Sequence, residues 1–339
     1  MIIIFNLIPL NAQDKQSPPS ITLYGLAHVT TDYLDNGEEG GMNLSSNSSR
    51  LGIRAGLEIS KNLKAIAQVE QEVQWENGAG NFASRDTYVG LQGSFGTIRL
   101  GYFDTALKAI RGKIDLFGDQ IGDLRNLTRL RDVQGASYDF DTRFRNGIHY
   151  QSPSLWGIIF DIHYATNTDN GVNPPGEGND AVSGSVAFSK KNLFLSGAGE
   201  YKSDTSSYAL RFGAAYNFGP WRLAGLVQLA VIKKGSEAES AGVNTLGLGV
   251  SYKAADKLVL KGQYYRIDAE TEMSNADMLA LGVDYFLSKP VQLLLAYART
   301  GNNERVSYTM SAGGHGAQLY PAQPGLTANG LSAGIRFSF

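Results

Sequence analysis

Along the last ten residues, Leu331, Ala333, Ile335, Phe337 and Phe339 fall on one parity, while Ser332, Gly334, Arg336 and Ser338 fall on the other. A period of two marks a β-strand with one apolar face and one face in water. The alternation recurs in SSYALRFGAAYNF (206–218), where Tyr208, Leu210, Phe212, Ala214, Tyr216 and Phe218 oppose Ala209, Arg211, Gly213, Ala215 and Asn217. In SSRLGIRAGLEIS (48–60), Leu51, Ile53, Ala55, Leu57 and Ile59 oppose Arg50, Gly52, Arg54, Gly56 and Glu58. Sixteen such segments start near residues 21, 48, 63, 85, 97, 143, 157, 181, 192, 206, 221, 243, 257, 275, 290 and 327. Most match the ~9–11 residues that a tilted strand needs to cross a bilayer.

The connections alternate as well. SKN, SFG, SPSLWG, SKKN, FGP, AADK and SKP are short and made of turn-forming residues. Between them stand longer polar stretches: DNGEEGGMN, TNTDNGVNPPGEGND, KKGSEAESAG and the tract from Asn302 to Leu326. Short turns at one rim and long loops at the other predict an all-β fold, a 16-stranded antiparallel up-and-down transmembrane β-barrel in a single domain. A soluble β-sandwich would also alternate, but large branched residues would dominate its close-packed inner face. Here the apolar face ends in aromatics such as Tyr208, Trp221, Tyr252, Tyr297 and Phe337, which suit interfacial girdles. The polar face carries charge at mid-strand, at Arg54, Arg99, Arg211, Lys261 and Arg336.

Composition narrows the classes. The 339 residues hold 30 Lys and Arg against 32 Asp and Glu, a net charge of -2, so no basic field points to nucleic acid. Cys is absent, which removes disulfides and Cys-based metal sites. No apolar run approaches the ~18 residues of a spanning helix, whereas a barrel needs only every second residue apolar. The start, MIIIFNLIPLNAQ, is a short apolar segment followed by polar DKQSPPS. It predicts an export signal over residues 1–12, without the usual basic start, ahead of a barrel over 13–339.

ITLYGLAHV (21–29), SSRLGIRAGLEISKNLKAIAQVE (48–70) and RDTYVGLQGSFGTIRLGY (85–102) resemble the general porins of Gram-negative outer membranes, of the neisserial and β-proteobacterial type. The resemblance implies a homotrimer in the outer membrane, bounded by lipid and lipopolysaccharide, that passes ions and small hydrophilic solutes passively and without a cofactor. It also implies that Phe339 is the assembly signal read by the barrel-insertion machinery. Physically, the last strand must pair with the first to leave no open edge in lipid. Two positions depart from the family pattern: Ala27-His28, where an acidic residue is common, and LGYFDT, which lacks an Arg after LG. Both bear on ion selectivity and neither on the fold.

Selectivity needs a constriction. The candidate is the stretch 105–134, the longest connection in the first half, and a structureless loop of that length is usually functional. In the family it resembles, the third long loop folds into the barrel. This one mixes Lys108, Arg111, Lys113, Arg125, Arg129 and Arg131 with Asp115, Asp119, Asp123 and Asp132. The expectation is that Asp115, Asp119 and Asp123, with Arg125 and Arg129 beside them, face the lumen. Arg50, Arg54, Lys64 and Arg99 would oppose them from the second, third and fifth strands. Opposed rows of charge would set a field across a narrow wet gap and favour solutes that exchange water for oriented partners. Basic residues outnumber acidic ones among the inward positions, which points weakly to anions.

Other chemistries find less support. The histidines are His28, His149, His163 and His315. His149 and His163 share inward parity, but a turn centred near Ser154 would pair His149 with a position close to Phe160. No spacing supports a metal pair or a Ser-His hydrolase. The competing readings are a substrate-specific channel and a barrel adhesin or receptor acting through its loops.

Overall fold

The computed structural model describes residues 18–339 except 81, 131–139, 167, 169–178, 234–239, 312–313 and 317–319. The expected export signal and loop positions 131–134 lie outside the described residues. Barrel strands are β1 (Ser20–Asp35), β2 (Gly40–Ser46), β3 (Arg50–Ser60), β4 (Leu63–Glu72), β5 (Thr87–Gly93), β6 (Gly96–Asp104), β7 (Arg143–Gln151), β8 (Ile158–Ala165) and β9 (Ala181–Lys190). They continue as β10 (Leu193–Lys202), β11 (Ser207–Phe218), β12 (Trp221–Lys233), β13 (Ser240–Ala255), β14 (Leu258–Ala269), β15 (Ala276–Phe286), β16 (Val291–Asn302) and β17 (Thr327–Ser338).

Each strand pairs antiparallel with its neighbour, and β1 pairs with β17, so the sheet closes. Both β2 and β3 pair with β1, the first along Val29–Asp35 and the second along Ser20–Leu26. Together they form one barrel strand broken at 47–49, and the barrel has sixteen strands. The last residue takes part in closure: Gly25 N–H donates to Phe339 O at 2.9 Å, and Phe339 N–H donates to Gly25 O at 3.1 Å. The Phe339 ring covers Gly25, where a Cβ would collide with it.

Two local expectations are corrected. DNGEEGGMN is not a long loop. Asn36 Oδ1 accepts from the N–H groups of Glu38 and Glu39, Asp35 Oδ1 accepts from Gly37 N–H, and Gly37 has φ +95°. These side-chain bonds close a four-residue turn, and the chain re-enters the sheet at Gly40. In the β7–β8 hairpin, His149 pairs directly with His163. Trp156 and Gly157, at φ +53° and +93°, turn the chain between Leu155 and Ile158, two residues beyond Ser154.

Parity divides the barrel as expected. Outward positions such as Ile21, Leu23, Ile53, Leu246 and Leu248 are apolar and exposed. On β11, Tyr208 stands near the long-loop rim, while Tyr216 and Phe218 stand near the short-turn rim. Inward positions include the fully buried Arg211 and His163. What surrounds the inward side chains differs sharply around the circumference.

Candidate functional site

The connection between β6 and β7 folds inside the barrel. It carries three single-turn helices: α1 (Ala106–Ala109), α2 (Arg111–Ile114) and α3 (Arg125–Thr128). Thr105 caps α1, its hydroxyl accepting from Lys108 N–H at 3.2 Å. Leu107, Ile110, Ile114, Leu124 and Leu127 are buried against Ala209, Ala224, Leu226, Ala230, Ile267 and Met278 of the inner wall. Small wall residues let the loop lie close: a Cβ at Gly213 would sit 3.1 Å from Ile110. Burying each large side chain is worth roughly 1.5–3 kcal/mol, so this apolar face ties the loop to one wall.

A second connection, between β16 and β17, covers the same side. Val306, Tyr308 and Met310 are buried, and Gly122 N–H donates to Met310 O at 2.7 Å. Farther along, His315 Nε2 lies 3.2 Å from Asp32 Oδ2. Ser48 donates to Gly314 O and Gly316 N–H donates to Asn47 Oδ1, so the break between β2 and β3 is where this connection rests.

Polar side chains of the covered wall bind the first loop's backbone. Arg211 donates to both Asp141 oxygens at 2.5 and 2.7 Å and to Leu107 O at 3.2 Å. Its neighbour Gln228 accepts from Arg211 and donates to Thr128 O. Gln263 donates to Asp115 Oδ1 and Gly122 O, and accepts from Leu116 N–H. Lys261 donates to Gln120 Oε1. Arg211, on the polar face of its strand, is fully buried beneath the loop.

The loop's charges pair mainly with one another. Arg125 lies 2.8 Å from Asp119 and 2.7 Å from Asp123, while Arg111 lies 2.9 Å from Asp123 and 3.4 Å from Asp119. Asp115 and Asp123 side chains are 1% and 0% exposed, and Asp119 is 9% exposed. Burial would raise Asp119 and Asp123, but the guanidinium groups of Arg111 and Arg125 outweigh it. They hold Asp119 well below the usual carboxylate range and Asp123 down to about 2. Arg50 and Arg336 on the wall add to the field at Asp119. Asp115 goes the other way: burial, then the Asp123 carboxylate, push it up to about 7. Burial also lowers Lys108 to about 8, despite its pair with Asp104 at 2.9 Å.

The opposite wall carries the basic residues. Strand register aligns Arg54 with Gln68, Gln68 with Tyr88, and Arg99 with His149. Arg54 Nε donates to Gln68 Oε1 at 2.9 Å, and Tyr88 O–H approaches the same oxygen at 3.4 Å. Arg99 Nε lies 3.2 Å from His149 Nδ1. Because guanidinium only donates, Nδ1 is the acceptor there, and His149 Nε2 meets Asp161. Arg50 lies 3.8 Å from Glu70, and Lys64 lies 3.5 Å from Glu58. Among the described residues, Arg54, Arg99, Arg145 and Arg336 have no carboxylate within ion-pair distance. Toward the long-loop rim, a cavity of about 800 Å³ is lined by Arg85, Lys108, Arg125, Arg129, Arg143 and Arg145 among others.

The structure places Arg50, Arg54, Lys64 and Arg99 on this wall and Asp115, Asp119, Asp123, Arg125 and Arg129 in the folded-in connection. The sequence reading did not pick out Gln68 and Asp161 on the wall or Gln228 and Gln263 beneath the loop, and it gave His149 only its inward parity. Inward parity was the available signal for all five; the register that links them was not.

Residues 9–305 match the family model for Gram-negative porins. The chain belongs to the Gram-negative porin family. This porin is 28% identical over 337 residues to outer membrane porin protein 32 of Delftia acidovorans, a match covering 94% of each chain. It is 25% identical over 194 residues to the major outer membrane protein P.IB of Neisseria meningitidis serogroup B, covering 54% of each. Among solved structures, the anion-selective porin from Comamonas acidovorans superposes with a TM-score of 0.81 at 27% identity, covering 95% of this chain and 100% of that one. The porin is a transmembrane β-barrel of the outer membrane whose lumen is a passive channel, as the family and the fold together establish.

Proposed function

We propose that the channel is weakly anion-preferring and that its constriction lies between the folded-in loop and the wall of β3–β8. One observation carries this reading: the loop carboxylates are consumed by Arg111 and Arg125, while Arg54 and Arg99 on the facing wall have no carboxylate partner among the described residues. The net field in the gap is then positive, and low-dielectric walls focus it. The likeness to a porin described as anion-selective supports the same sign. Reversal potential across a potassium chloride gradient tests it. Chloride should cross in preference to potassium, and Arg54→Ala with Arg99→Ala should move the potential toward potassium. A cation-preferring parent channel would sink the proposal.

The assembly is proposed to be a homotrimer in contact with outer-membrane lipid and lipopolysaccharide. Small outward residues at Ala27, Ala55, Ala65 and Ala67 support a flat subunit interface near the first three barrel strands. Phe339 is proposed to be read by the barrel-assembly machinery. Deleting it should lower the yield of heat-modifiable trimer on gels, and a yield equal to the parent's would count against that role.

A further inference from the structure

We propose that Arg54, held over the Tyr24 ring, makes the pore favour planar aromatic carboxylates over aliphatic carboxylates of the same size. The inference rests on the anion reading above and names the class of anion. Tyr24 on β1 lies across Gly52, where a side chain would collide with its ring. Its hydroxyl donates to Glu70 Oε2 at 2.8 Å, which fixes the ring against the wall. Arg54 Cζ stands 4.0 Å from the ring centroid, within the range of a cation–π contact.

The remaining valences of Arg54 decide what it offers a solute. One face is taken by the ring. Its Nε–H is taken by Gln68, whose own amide donates to Asp86 O at 3.1 Å. Its guanidinium also bonds the Tyr24 hydroxyl, while the side away from the ring and the rest of the Nη edge are left to the lumen, where the residue is exposed. Guanidinium is weakly hydrated on its faces, stacks on π-systems and grips carboxylate through its Nη fork. A planar aromatic carboxylate gains from the fork through its carboxylate and from the open face through its ring as it advances. An aliphatic ring gains only the first.

The same construction recurs along the wall. Arg99 Cζ lies 5.1 Å from the Tyr88 centroid and 4.8 Å from the Phe103 centroid, with Nε directed to His149. Arg145 stands 5.6 Å from the Tyr102 centroid. Arginines on β3, β6 and β7 thus each stand against an aromatic ring.

Potassium benzoate and potassium cyclohexanecarboxylate share charge and ring size and differ in planarity and π-electrons, so reversal potentials with the two salts isolate the effect. The parent channel should pass benzoate about threefold more readily. Arg54→Lys keeps the charge but loses the planar face, and should lower the ratio clearly. Tyr24→Leu should do the same by freeing the guanidinium. A parent ratio near one, or a ratio undiminished in both variants, would overturn the proposal. The comparison is between two anions, so its failure is distinct from a cation-preferring result in chloride, which would strike the anion reading itself.

Discussion

The walls of β3–β8 and β10–β15 both turn every second side chain inward, yet they meet different surroundings. On the first, Arg54, Gln68, Tyr88, Arg99, His149 and Asp161 form a polar row, and both of its arginines lack a carboxylate partner among the described residues. On the second, Ala209, Ala224, Leu226, Ala230 and Ile267 lie under the folded-in loop as part of a dry core. The polar residues there, Arg211, Gln228 and Gln263, answer to loop backbone and Asp141 rather than to solute. An inward position is thus wet or dry according to what stands in the lumen before it. The inner face of β10–β15 serves as a packed core for the loop, while the inner face of β3–β8 keeps exposed polar side chains such as Arg54.

The comparison breaks most visibly if the dry half is unfastened. Arg211→Met leaves Asp141 buried without its partner, which should cost about 3–5 kcal/mol of loop anchoring. Single channels should then show a larger and more variable unit conductance. Adding Asp141→Leu removes the orphaned charge and should restore most of the parent behaviour, as paired apolar replacements of buried ion pairs often do. Conductance and noise equal to the parent's in Arg211→Met would remove it as the anchor.

A smaller effect comes from protons. Asp115 is raised to about 7 by burial and by Asp123. Between its ordinary ~4 and that value, the seated loop keeps a proton that an unseated loop would release, so seating is favoured at low pH and weakens as pH rises through about 7. Asp119 and Asp123 have depressed values, so their contribution is present at neutral pH and fades as pH falls toward 2. Open-channel noise should therefore be greater at pH 8 than at pH 5.5, and Asp115→Asn should abolish the difference. Equal noise at both values in the parent would show that Asp115 does not govern seating.

The sheet was legible because its signal is local. A strand such as Ser207–Phe218 announces itself in twelve residues of alternation, and each of its side chains falls on the face that parity assigned. The loop was legible as a long insertion rich in Arg and Asp, but not as a self-neutralising one. Asp119 and Asp123 are expected to confront the wall, whereas both pair with Arg111 and Arg125 of their own loop, and Asp115 is bound by Gln263 of the wall behind it. Spacing alone does not say whether Asp123 prefers Arg125, two residues on, or an arginine on the far wall. The His149–His163 pairing shows the same limit at shorter range, because two positive-φ residues moved the turn and with it the register.

The sequence by itself determined that alternate side chains meet lipid and lumen, that sixteen strands close by pairing the last with the first, and that a long charged segment interrupts them after β6. Only the tertiary structure decided which lumen-facing residues see water. Strand parity is set by each residue's immediate neighbours, but dryness is set by contacts between residues far apart in the chain, such as Arg211 with Asp141 and Gln263 with Gly122, separated by 70 and 141 positions. No period in the chain encodes those contacts. They arise when a loop with an apolar face finds a wall with room for it.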